Sequence, residues 1–295
     1  MNTVRVGSSS IEGSQLAYGC WRIADPGVDG RAALVAACEA GYTLFDVADV
    51  YGGGKAEEAL GRALRDVSGM RDRVRLVTKC GVRPGRYDFS FDHIVASCDA
   101  SLARLGVEAI DLYLLHRPDV LADPDEIARA FTTLHAAGKV RWFGVSNFRP
   151  SLLTAVRAAC PLPVVAHQVE ISLTRLDALT DGVLDQCLDH QMTPMAWSPL
   201  GAGLLADGAR RMLPAQRSYR PEAVVNALDD LSRDRGEHRA VLALAWLLKH
   251  PSRIMPIVGS TDPRRIRDAV RATEIKLTRE EWYALFVAAR GEALP

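Results

Sequence analysis

Charge of one sign is missing from this 295-residue sequence. Its 36 lysines and arginines meet 36 aspartates and glutamates, for a formal net charge of +0 at pH 7. A nucleic-acid surface needs a basic stripe. No lysine or arginine run interleaves with aromatics here, and the stretch MRDRVR carries an aspartate and reads as a solvated lead-in to a strand. No nucleic-acid partner is therefore expected. Long apolar runs are missing too. The longest in the C-terminal half, AVLALAWLL, is far below the ~20 residues that span a bilayer. The first residues, MNTVRVGSSSIEGS, lack the apolar core of a signal peptide. The expectation is a cytoplasmic protein with no membrane partner. The six cysteines (Cys20, Cys38, Cys80, Cys98, Cys160, Cys187) include no C-x-x-C, which points to reduced, buried thiols. No histidine or cysteine pair has metal-ligand spacing, so no metal is expected. The strings G-x-G-x-x-G and G-x-x-x-x-G-K-[ST] are also absent, which argues against an open dinucleotide-binding sheet and against a P-loop.

What is present is alternation. Eight apolar runs read as strands: QLAYGCW (15–21), TLFDVAD (43–49), VRLVTKC (74–80), LYLLHR (112–117), RWFGVSN (141–147), VVAHQVE (164–170), TPMAWSP (193–199) and IMPIVGS (254–260). Segments with helical periodicity lie between them. AEEALGRALRDV places Ala56, Leu60, Ala63, Leu64 and Val67 on one stripe. FDHIVASCDASLARLG has Asp92 in its first turn and stops on Gly106. DPDEIARAFTTLHAAGK has Asp123 as cap, Pro124 at the first helical position and Gly138 at its end. Strands this apolar are covered on both faces, so the alternation implies a parallel sheet. Eight strand–helix units in 295 residues fit an α/β fold of (β/α)8 barrel type. No linker interrupts them, and residues 1–295 are expected to form one domain. The stretch 203–221 is longer and more polar than other connections and reads as a loop after the seventh strand.

Polar residues fall late in the strand runs. Asp46, Lys79, His116, Ser146, Asn147, Gln168, Glu170, Ser198 and Ser260 all do so. In a parallel barrel the C-terminal strand ends converge on one rim, where such barrels place their active sites. Each residue taken singly has a structural alternative: a hydrogen-bonded histidine, a lysine reaching for water, an aspartate in a turn. An acid, an amine and a histidine on three consecutive strand ends, with a tyrosine just beyond the first, point instead to a site. Tyr51 and Lys55 have the four-residue spacing of a helical Tyr-x-x-x-Lys pair. However, Gly52, Gly53 and Gly54 lie between them, and each interior glycine costs a helix about 1 kcal/mol. Lys79 is thus the expected partner of Tyr51, and Lys55 is expected to face solvent.

These motifs, in this order, resemble the aldo-keto reductase superfamily, in particular a bacterial branch of predicted oxidoreductases. The resemblance rests on FDVADVYG (45–52), LVTKC (76–80), DLYLLHRPD (111–119), GKVRWFGVSNF (138–148), QVEISL (168–173), AWSPLGAGLL (196–205) and MPIVGSTDPRRIRDAV (255–270), and runs from about Gly19 to the chain end. It implies a single-domain barrel that reduces a small-molecule carbonyl with a nicotinamide cofactor. Asp46, Tyr51, Lys79 and His116 would be its catalytic residues. Tyr51 would be the proton donor, its phenol (ordinarily about 10) made more acidic by Lys79. Asp46 would hold the lysine, and His116 would orient the carbonyl oxygen. The same resemblance implies that Ser146, Asn147 and Gln168 hold the nicotinamide carboxamide and Trp197 stacks on its ring. Ser198, Leu200 and Gly203 would meet the pyrophosphate, with Gly19, Trp21 and Asp46 lining the cofactor and pocket. Gly259, Ser260, Thr261 and Arg265 would form the 2′-phosphate segment. Gly259 departs from a commoner lysine, so NADPH is the expected cofactor, with NADH as an alternative.

A monomer or weak homo-oligomer is expected, with an open pocket walled by Trp21 and by Tyr87 or Phe148. Two rival readings remain at this stage. One is an NADPH-binding redox-sensing regulatory subunit. The other is a Schiff-base aldolase-type barrel using Lys79.

Overall fold

The computed structural model describes residues 1–208 and 213–295. Part of the expected 203–221 loop therefore lies outside the described residues. Eight parallel strands close into a barrel in chain order. They are β1 (Ala17–Gly19), β2 (Leu44–Asp46), β3 (Arg75–Cys80), β4 (Ile110–Leu115), β5 (Val140–Ser146), β6 (Val164–Glu170), β7 (Thr193–Trp197) and β8 (Met255–Val258). Each lies inside or against one of the eight apolar runs. All six residues of β4 are buried, as a strand covered on both faces requires.

The helices follow their local signals. In α1 (Gly30–Glu39) the Asp29 carboxylate accepts from Ala32 N–H. α2 (Lys55–Asp66) opens directly from the Gly52–Gly54 turn. In α3 (Phe91–Leu105) Ser90 caps the start and Gly106, at φ 66°, ends it. In α4 (Pro124–Ala136) Asp123 accepts from Asp125 N–H and Pro124 fills the first turn, where its missing N–H costs nothing. Further along come α5 (Pro150–Ala159), α6 (Val183–Asp189), α7 (Glu222–Arg235), α8 (Arg239–Leu248), α9 (Pro263–Ala269) and α10 (Arg279–Arg290). α10 is pinned to α8 by a Trp246–Trp282 stack at 4.9 Å. Each indole N–H of that pair donates to the other residue's carbonyl.

Three apolar clusters build the core. Two lie between the barrel and its helices. The third includes Ala17, Leu44, Val77, Leu112, Leu114, Ala166, Met195, Met255 and Ile257, on barrel strands, together with Val6 and Ile11. Val6 and Ile11 come from an N-terminal hairpin, Thr3–Arg5 paired with Glu12–Ser14. The strand survey did not anticipate this hairpin, because three-residue strands are too short to show a period. All six cysteines are free and buried. No helix among the described residues is long and apolar enough to cross a membrane.

Candidate active site

The C-terminal strand ends meet as the topology requires. Gly19 pairs with Asp46 across β1–β2, Lys79 with Leu114 across β3–β4, and Ser146 with Gln168 across β5–β6. Lys79 is fully buried and its ammonium donates three ways: to Asp46 Oδ2 at 2.8 Å, to Val47 O at 2.8 Å and to the Tyr51 hydroxyl at 3.4 Å. The other Asp46 oxygen accepts from Gln168 Nε2 at 2.8 Å. His116 lies edge-on to Tyr51, ring centroids 5.7 Å apart.

Tyr51 owes its place to the turn around it. Gly52, Gly53 and Gly54 all have positive φ (58°, 63° and 92°), so Tyr51 and Lys55 do not share an α-helix. Lys55 is exposed, as expected. The start of α2 is anchored by Glu57, which is fully buried and accepts from Thr78 Oγ1 on β3 and Arg104 Nε on α3, each at 2.6 Å. Asp49, in the same turn, is pushed up to about 7 by burial and then by the Glu57 charge.

The electrostatics divide the four residues by role. Burial pulls the Lys79 ammonium down, but the charges of Asp46 and Tyr51 and their hydrogen bonds more than offset it, and the amine stands above its ordinary value. Such a lysine stays protonated and is a poor nucleophile, which disfavours the Schiff-base reading. Burial raises the Tyr51 phenol above its ordinary value, and Lys79 opposes that rise. The expectation of a more acidic phenol thus describes the lysine's contribution but not the net direction. Burial, then the Lys79 and Arg117 charges, hold His116 well below its ordinary value. It is a neutral imidazole near neutral pH, and its buried Nδ1 has no partner among the described residues.

A cavity of about 530 Å³ runs from these residues along the rim. It is lined by Tyr51, His116, Trp21 and Trp197, by Ser198, Leu200 and Gly203, and by Gly259, Ser260, Thr261 and Arg265. Every expected cofactor-lining residue from Gly19 to Arg265 faces this one groove. Two expected walls do not. Phe148 is buried against Phe89, with centroids 6.0 Å apart. Tyr87 is 45% exposed on a small outer hairpin. Neither lines the cavity, and Trp21 and Trp197 supply the aromatic walls instead.

Several partners were not legible in sequence. Asn147, at φ 61°, has its amide fully engaged: it donates to His116 O and Ser146 Oγ and accepts from Trp197 Nε1. Buried Gln216 bridges Glu170 Oε1 (2.6 Å) and Ser198 Oγ (3.1 Å), tying the long loop to the rim. Asp207, on the same loop, pairs with Arg265 at 2.7 Å and with His238 at 3.4 Å. Arg264 lines the groove, while Arg267 pairs with Glu39 at 3.5 Å. Arg117, inside the string DLYLLHRPD, lines the cavity and sits over the Trp197 ring at 5.1 Å. No cluster of histidine, cysteine and carboxylate groups suited to a metal occurs among the described residues.

The comparisons agree with this geometry. The aldo/keto reductase family model matches residues 15–286. The chain is 41% identical to the 6-dehydroglucose reductase of Novosphingobium aromaticivorans, with 99% of this chain aligned to 96% of that one. It is 38% identical to the 6-dehydroglucose reductase of Agrobacterium fabrum, with 97% of each chain covered, and 38% identical to oxidoreductase YdhF of Escherichia coli, with 99% of each covered. A crystal structure of a thermostable aldo-keto reductase in complex with the inhibitor epalrestat superposes with a TM-score of 0.84 at 29% identity. The match covers 98% of this chain and 100% of that one. With a closed eight-stranded parallel barrel and a family match across nearly its whole length, the chain belongs to the aldo/keto reductase family of oxidoreductases.

Proposed function

We propose that this protein reduces small aldehydes and ketones to alcohols with NADPH, NADH being the weaker alternative, in one barrel domain. The observation that carries the reading is the buried Asp46–Lys79–Tyr51 chain, with Asp46 and Tyr51 lining the groove. The residues present fit a nicotinamide dinucleotide. Gln168 and Ser146, paired across neighbouring strands, both line the groove with polar groups suited to a carboxamide, and Trp197 lines it too. Arg265 offers a guanidinium, flanked by Asp207 and Asp262, whose buried Nε makes no hydrogen bond among the described residues, a donor suited to phosphate. When bound, the nicotinamide supplies the hydride.

The chain's own residues supply position and the proton. The Tyr51 hydroxyl, protonated at neutral pH, donates to the carbonyl oxygen as that oxygen gains charge. Lys79 stabilises the phenolate left behind, and Asp46 keeps the lysine charged and fixed. Neutral His116 donates a hydrogen bond that orients the carbonyl oxygen. Asn147 holds Trp197 and the His116 backbone in register. Two relatives are named 6-dehydroglucose reductases, which makes a hydroxylated aldehyde a reasonable first substrate to try.

A panel of aldehydes with NADPH and NADH, run on wild type and Tyr51→Phe, tests this. Tyr51→Phe should still bind cofactor and lose at least a hundredfold in kcat, the ordinary worth of a positioned acid being about 10²–10⁴. Undiminished turnover by Tyr51→Phe would remove Tyr51 from the role.

A further inference from the structure

Among the described residues that line the cavity with Tyr51 and His116, Arg117 is a cation without a job in the reading above. It follows His116 directly, lines the same cavity as Tyr51, His116 and Trp197, and is only partly exposed. Its guanidinium lies over the Trp197 ring, 5.1 Å from the centroid. Among the described residues it makes no hydrogen bond and no ion pair. Two other cations along the groove differ. Arg265 is paired with Asp207, and Arg271 with Glu237 at 2.6 Å. Its neighbour Glu170 is already bound by Gln216 and is not within ion-pairing distance. A planar fork of donors over an aromatic face, with no ion pair among the described residues, can meet a carboxylate in two parallel hydrogen bonds. Contact with the Trp197 ring restrains the side chain, so less freedom is lost when an anion docks.

We infer that Arg117 is the specificity-determining residue of the substrate pocket, and that the carbonyl compounds this site favours carry a carboxylate on the same small molecule. The inference rests on the proposed carbonyl reduction and names its substrate class. The carboxylate docks on Arg117 while the carbonyl oxygen points between Tyr51 and His116. Arg117 then acts on binding and orientation, and the proton and hydride follow the route already described.

Matched substrates isolate the charge. 4-Carboxybenzaldehyde is compared with 4-formylbenzamide, and 4-oxobutanoate with butanal, by kcat/KM on wild type, Arg117→Met and Arg117→Lys. Wild type should prefer the acid of the aromatic pair by about ten- to hundredfold, the usual scale of a charge-assisted hydrogen bond. Arg117→Met should bring that ratio near one. Arg117→Lys, a point charge without the fork, should restore part of it. A second readout does not need turnover. Titration of tryptophan fluorescence in the NADP-loaded enzyme should show 4-(hydroxymethyl)benzoate binding at least tenfold tighter than 4-(hydroxymethyl)benzamide, with the difference lost in Arg117→Met. Equal wild-type ratios for acid and amide, in turnover or in binding, would overturn the inference while leaving the reductase reading intact. A carboxylate preference in binding without any carbonyl reduction would uphold Arg117 as an anion site and sink the reductase reading.

Discussion

Replacing Asp46 by asparagine separates the charge of the buried carboxylate from its shape. Asparagine keeps an oxygen to accept from Gln168, whose amide donates at 2.8 Å. It removes the counter-charge of an ammonium that has no exposed surface and donates at 2.8 Å. Breaking a buried pair from one side costs about 3–5 kcal/mol. The ceiling at pH 7 is set by letting the amine lose its proton. That costs about 1.4 kcal/mol for each unit between 7 and lysine's ordinary value near 10.4, or roughly 5 kcal/mol in all. Without Asp46, burial dominates and drives Lys79 below its ordinary value, so the unfolded chain binds the extra proton. Stability of the variant therefore rises with pH relative to wild type. Urea unfolding followed by tryptophan fluorescence should show a deficit of about 3–5 kcal/mol at pH 7 that shrinks by up to about 2.7 kcal/mol at pH 9. A deficit that stays the same at both pH values would mean that Lys79 keeps its charge without Asp46, and the reasoning would fail. Carbonyl reduction should fall with the loss of the cation beside Tyr51.

Two further outcomes concern the frame of the site. His167 on β6 is fully buried and held down to about 4 by desolvation, so its contribution to stability is full above 6.5 and is lost as pH falls toward 4. Its share of the loss at pH 4.5 is about 2.6 kcal/mol. His167→Leu should lessen the acid sensitivity of urea unfolding by that amount, and an unchanged pH slope would contradict the assignment. In Gly61→Ala the new methyl would lie 2.6 Å from the carbonyl oxygens of Arg104 and Leu105. Backbone at the α2–α3 contact cannot yield cheaply, so a cost of about 1–3 kcal/mol outweighs the ~1 kcal/mol gain in helix propensity. The melting temperature should drop by several degrees, and a rise would show that the two helices slide apart freely.

The eight barrel strands, the barrel, and the placing of Asp46, Lys79, His116, Ser146 and Gln168 on one rim were legible in the sequence. Apolar runs and helix caps are local signals, and a parallel barrel turns strand order directly into spatial order. The glycine triplet likewise excluded Lys55 as the partner of Tyr51, because its conformational cost is readable without tertiary contacts. Tertiary structure alone decided the rest. The N-terminal hairpin that supplies Val6 and Ile11 to the third cluster has strands too short to carry a period. Phe148 and Tyr87 do not line the cavity because rotamer and packing, not chain position, aim a side chain. The net rise of the Tyr51 phenol is the balance of burial against a single ammonium 3.4 Å away. Gln216, Asp207 and Arg117 became visible only in space. What each does depends on the group it touches or, for Arg117, on the partner it lacks, and neither property is written in the residues beside it.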